Sequence, residues 1–140
     1  MYRSAWRLSR KYLNGKTPPF EPEEWASVCA QAIELLSGND IVPVGTIIIG
    51  FPDECEDDIK ETSRLVGKLS EYRTVIVPII FSPPFKRNHA EEENLIASQR
   101  ELLGQPYYVQ LFELVRENNS RSLPVASESP RAWPMMLQEV

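Results

Sequence analysis

The sequence predicts an α/β domain built around one parallel βαβ unit. Two apolar runs carry that expectation, VGTIIIG at about 44–50 and TVIVPIIF at about 74–81. Short runs rich in β-branched residues and bounded by turn signals read as buried strands. The amphipathic stretch between them, about 55–70, has the length of a crossover helix. Strand–helix–strand units of this kind pair in parallel and cross over with a right hand.

The chain's 140 residues suit one domain with a modest core. Hydrophobic residues make up 42% and charged residues 25%, as in an ordinary globular chain. A net charge of −5 and a pI near 5.0 argue against a nucleic-acid surface, which needs clustered Lys and Arg. The basic start MYRSAWRLSRKYLNGK is followed by no apolar run, so it does not read as a secretory signal. No stretch approaches the length needed to span a bilayer, and the expected location is the cytoplasm. The two cysteines, Cys29 and Cys55, do not have the spacing of a metal or redox motif.

Residues 1–13 read as a short basic helix ended by Gly15 and Pro18-Pro19. Pro22 then opens a second helix, early enough that its missing N–H is harmless. Trp25, Val28, Cys29, Ala32, Leu35 and Leu36 follow helical spacing and are expected to form its buried face, with Cys29 as a core thiol. Ser37-Gly38-Asn39-Asp40 supplies helix-stop chemistry, and the first strand follows. The crossover helix sets Ile59, Thr62, Val66 and Leu69 on one side. Its acidic first turn and Lys68 in the last turn both suit the helix dipole. Pro78 has no N–H for a ladder, so the second strand is expected at an edge or with a bulge.

After Ser82-Pro83-Pro84-Phe85 comes a polar loop with the only histidine, His89, which reads as a surface residue. Helices at about 91–103 and 106–118 follow, the second with an apolar face of Tyr108, Leu111, Phe112 and Val115. The expected division is a domain over 1–118 and a Ser- and Pro-rich flexible tail over 119–140.

The segment IIIGFPDECEDD resembles the I-I-G-[LF]-P-x-E-T-x-x-D junction of radical S-adenosylmethionine enzymes. Gly50, Pro52, Glu54 and Asp58 match, while Asp53 and Cys55 replace the family's usual Gly and Thr. Pro22-Glu23-Glu24-Trp25 resembles the helix before the family's fifth strand, and Tyr72-Arg73 with Val75-Ile76-Val77-Pro78 resembles its sixth. The likeness covers about residues 5–115 and is greatest to a subgroup that often carries a cobalamin-binding domain. It implies that this chain is the C-terminal part of a partial (β/α)6 TIM-like barrel. It also implies that Thr46, Ile48, Gly50, Phe51, Pro52 and Glu54 line the adenine side of an S-adenosylmethionine site.

The family's C-x-x-x-C-x-x-C loop, which holds a 4Fe–4S cluster, has no counterpart here. The resemblance therefore places S-adenosylmethionine and the cluster in an intact parent and neither in this chain alone. No catalytic or metal-binding residue is assigned. Expected partners are the missing N-terminal barrel half, a protein covering an exposed strand edge, or a second copy. A non-enzymatic α/β interaction module and a small nucleotide-binding domain are the alternatives.

At the junction itself, residue chemistry predicts a glycine-bearing turn with free backbone N–H groups at a strand's carboxyl end. Glu54 either orients this loop or faces water. Cys55 is a weak cap, so Asp53 with Glu56 is expected to start the helix two residues earlier.

Overall fold

The computed structural model describes residues 11, 18–21, 23–83 and 87–123. The expected N-terminal helix lies, apart from Lys11, outside the described residues, and so does the tail beyond residue 123. The element order is α1 (Trp25–Ser37), β1 (Val44–Ile49), α2 (Glu56–Leu69), β2 (Val75–Ile80), α3 (His89–Leu103) and α4 (Pro106–Ser122). The strands pair in parallel, from Val44 opposite Val75 to Ile49 opposite Ile80, without a break in register. The fold is thus α/β, with one parallel βαβ unit and flanking helices.

The ladder explains how β2 accommodates a proline. Val75 N–H donates to the Pro43 carbonyl at 3.0 Å, and Phe81 N–H donates to the Ile49 carbonyl at 2.7 Å. Odd positions of β2 therefore face β1, and even positions face the outer edge. Pro78 falls on the outer side, where its missing N–H breaks no ladder bond. Of the two expected devices, edge and bulge, the chain uses the edge.

All the helices described pack toward one face of the sheet. Ile49, Ile76, Ile59, Val66, Leu69, Tyr108, Leu111 and Val115 form the core, joined by Ala30 and Ile33 of α1. Leu102 and Leu103 of α3 pack against the same cluster. By strand alternation the opposite face carries Val44, Thr46 and Ile48 of β1 with Val75, Val77 and Ile79 of β2. Val44 and Ile79 stand exposed there.

Helix α1 differs from the expectation. Its buried residues are Ala26, Ala30 and Ile33, while Trp25, Leu35 and Leu36 are exposed and Cys29 is half-buried. Nine of its thirteen residues are apolar, so periodicity offers two stripes. The sheet takes the one with two alanines, which lets the helix come close. Ile33 Cδ1 reaches within 3.8 Å of where a Cβ on Gly45 would stand.

Helix α4 runs to Ser122, past the expected end at 118. Its last turns are polar in sequence yet buried at Asn118, Asn119 and Ser122. These side chains close the outer edge of β2. Asn119 Oδ1 accepts from Ile76 N–H and its Nδ2 donates to the Ile76 carbonyl, both at 2.8 Å. Ser122 Oγ accepts from Thr74 N–H at 3.1 Å, and Asn118 Nδ2 donates to the Thr74 carbonyl at 2.9 Å. One helix thus supplies the bonds that a third strand would have made.

Candidate functional site

The junction after β1 is the candidate site. Gly50 has φ +79°, a conformation that glycine adopts without penalty and other residues avoid. Helix α2 begins at Glu56 with Cys55 as N-cap, not at Asp53 as expected. The reason lies in Asp58. Its Oδ2 accepts from Cys55 N–H at 2.9 Å and from the Cys55 thiol at 3.1 Å, and the residue is buried. Asp53 points elsewhere and pairs with Lys11 at 2.8 Å.

Glu54 orients the loop. It is 8% exposed, and Gly50 N–H donates to its Oε2 at 2.7 Å. The fully buried Tyr108 hydroxyl of α4 donates to the same oxygen. Burial raises the pKa of Glu54 above the usual carboxylate value. Hydrogen bonds from Tyr108, Gly50 and Phe51 partly offset this, and the Asp58 charge adds to it. Burial and the neighbouring Glu54 carboxylate push the Tyr108 phenol well above its ordinary value.

The Gly50 carbonyl is held as well. Gln99 Nε2 of α3 donates to it at 3.0 Å and to the Phe81 carbonyl at 2.7 Å. One amide nitrogen therefore ties together the carboxyl ends of both strands. Phe51 and Phe81 lie there as a ring pair 4.6 Å apart, with Ile48 packed against them. The free N–H expected at this junction is not found at Gly50, because the chain's own carboxylate occupies it.

The residues expected on the adenine side divide into three groups. Gly50, Phe51 and Glu54 meet in one buried turn. Pro52 is exposed beside it. Thr46 and Ile48 lie on the open face of β1, and their backbone groups point to its outer edge. Sequence reading missed Tyr108 as a partner of Glu54 and Gln99 as the strand-end tie. Tyr108 was recognisable only as an apolar-face residue, and Gln99 is an unremarkable polar position in a mostly exposed helix.

His89 is the first residue of α3, not part of a loop, and its exposed ring lies 3.3 Å from Glu93. Asn88 caps that helix, its Oδ1 accepting from Glu91 N–H at 2.9 Å. Among the described residues no group of three or more His, Cys, Asp or Glu could hold a metal ion. No helix among them is long and apolar enough to cross a membrane. Comparison with family models, curated proteins and solved structures returns no match for this chain.

Proposed function

We propose that this chain is the C-terminal portion of a radical S-adenosylmethionine protein, cytoplasmic, forming the adenine-side wall of the cofactor site and inactive alone. The observation that supports this reading is a sheet that, among the described residues, is finished on one side only. Asn118, Asn119, Ser122 and Pro78 close the outer edge of β2. Among the described residues nothing bonds the outer edge of β1, and Val44 and Ile79 stand exposed on the face away from the helices. Parallel sheets are otherwise covered on both faces.

Topology gives the direction of what is missing. Helices α1 and α2 cover the same face, and crossovers of this kind are right-handed. A strand preceding α1 in such a series falls on the free edge of β1, so the chain has the form of a last βαβ unit. Continuing the barrel on that side covers the edge and the bare face together. The Gly50 turn then sits at the carboxyl end of the strands, where (β/α) barrels place ligands. Glu54 acts there through the turn, as a positioning residue, with Thr46, Ile48, Phe51 and Pro52 nearer the ligand.

The cluster does not fit this chain. Cys29 is half-buried in α1, Cys55 caps α2, and the sequence has no third cysteine. No radical step is therefore assigned to these residues.

The test begins with the genomic DNA upstream of the Met1 codon, where an in-frame or adjacent segment should encode the three-cysteine loop. Co-expressed with that segment and reconstituted anaerobically with iron and sulfide, the chain should yield cluster absorbance and bind S-adenosylmethionine. A stable cluster on this chain alone, or no such coding segment, overturns the reading. The second reading, a non-enzymatic interaction module, draws on the same open edge and predicts that calorimetry finds binding of neither S-adenosylmethionine nor ATP.

A further inference from the structure

Glu54 is a buried carboxylate held without a cation. None of the ion pairs among the described residues includes it, and the charge that acts on it, Asp58 of α2, has the same sign. What holds it is a set of neutral donors. Gly50 N–H donates to Oε2 at 2.7 Å, the Tyr108 hydroxyl donates to the same oxygen, and Phe51 N–H also donates to the carboxylate. Consecutive N–H groups in a turn form a concavity suited to an oxyanion. Gly50, at φ +79°, opens that turn.

The fold places these donors without help from the Glu54 side chain. Tyr108 is fully buried on α4, beside the rings of Tyr107 and Phe112 at 5.5 Å and 6.2 Å. Gly50 is gripped on its other side, where Gln99 Nε2 donates to its carbonyl at 3.0 Å. Backbone closes the turn, Glu54 N–H donating to the Phe51 carbonyl at 3.1 Å. The pocket thus has walls of its own.

We infer that the Gly50 turn is a carboxylate-binding pocket that this chain fills with its own Glu54 side chain, and that a free carboxylate of the same size takes the place when that side chain is removed. In the native chain the occupant is tethered, so its effective concentration exceeds that of a dissolved competitor. A ligand that reaches this turn finds no donor at Gly50 for a phosphate or carboxylate. The Gly50 carbonyl is engaged as well, and what the turn presents to a visitor is the exposed Pro52. Glu54 therefore selects against anionic groups at a junction whose sequence otherwise resembles an anion site.

The test uses the full chain. Glu54→Ala removes Cγ, Cδ and both carboxylate oxygens, and acetate supplies the same set of atoms. Titrated against chloride at equal ionic strength, acetate should raise the denaturant midpoint of Glu54→Ala saturably, recovering about half of the loss at about 100 mM. Wild type should respond to neither acetate nor inorganic phosphate. In the isotope-labelled variant the Gly50 amide resonance should move with the same half-saturation. Tyr108→Phe, added to Glu54→Ala, removes one donor and little volume, and should weaken acetate at least about threefold. If Glu54→Ala does not fold in buffer, acetate and not chloride should restore its circular dichroism.

Acetate that acts no better than chloride, or equally on variant and wild type, overturns the inference. So does a half-saturation that Tyr108→Phe leaves unchanged. The pocket does not rest on the cofactor reading, which is judged separately by cluster reconstitution with the upstream segment.

Discussion

Gly50 and Glu54 hold the same turn by different physics. At φ +79° the glycine needs no special space, because a Cβ there would meet Gln99 and Ile80 only at ordinary contact distances, 3.5 Å and 3.6 Å. The cost of Gly50→Val is therefore conformational, about 1–3 kcal/mol, and should appear as a lower denaturant midpoint. Glu54 facing water would tolerate alanine for less than about 1 kcal/mol. Buried as it is, Glu54→Ala leaves the Tyr108 hydroxyl without its acceptor and Gly50 N–H with only its 3.1 Å bond to that hydroxyl. The expected loss is about 2–3 kcal/mol in the same melt.

Glu54 also makes stability depend on pH, with a sign opposite to that of a salt-bridged carboxylate. Its folded pKa is raised, chiefly by burial. Between the ordinary value and the raised one, the folded chain holds a proton that the unfolded chain has released. Stability from this group is then complete below its ordinary value of 4.5 and falls as pH rises through the folded pKa. Glu54→Gln, neutral throughout, removes that slope. Melts of the two proteins should diverge as pH rises from 4.5 toward neutrality, with glutamine the more stable at the upper end. Parallel curves would mean that Glu54 does not titrate differently on folding.

At the scale of elements, the strands and the crossover helix were legible because β-branched runs and a 3.6-residue period leave few other readings. Helix α1 was not, since Trp25, Val28, Ala32, Leu35 and Leu36 form as good a stripe as the one that is buried. Periodicity shows that a face wants cover without saying whether the cover is on the same chain. The end of α4 was illegible for the opposite reason. Asn118, Asn119 and Ser122 look like a polar tail, though with Leu111 and Val115 they continue one helical face. That spacing was the signal available.

The candidate site was legible at Gly50, where a strand meets an acidic helix start. Its fastenings were not, because Gln99 and Tyr108 reach it across 49 and 58 residues of sequence. Asn119 carries the clearest prediction for an element. Asn119→Ala strips two bonds from the buried backbone of Ile76, and the denaturant midpoint should fall by the equivalent of about 2–4 kcal/mol. Asn118→Ala, which loses one backbone bond, should cost about half as much.

The described residues leave the sheet with an unequal pair of flanks, one finished by α4 and one beside α1 that none of them bonds. The difference can be tested by opening the finished side. In Asn119→Ala the Ile76 groups regain their pairing capacity, and a chain with two usable edges can extend without limit. Concentrated wild-type protein should remain a discrete species by light scattering, whereas Asn119→Ala should scatter progressively more with time.

The Asn119 amide that mimics a strand also imposes an order on synthesis. It reaches back 43 residues to Ile76, and Ser122 reaches back 48 to Thr74. A ribosome exposes β1, and then β2, before α4 has left the exit tunnel, and domains form as their segments emerge. During that interval the growing chain carries its strands with nothing from α4 to seal them. The interval between the emergence of β2 and that of α4 is thus the period in which this polypeptide depends most on chaperones.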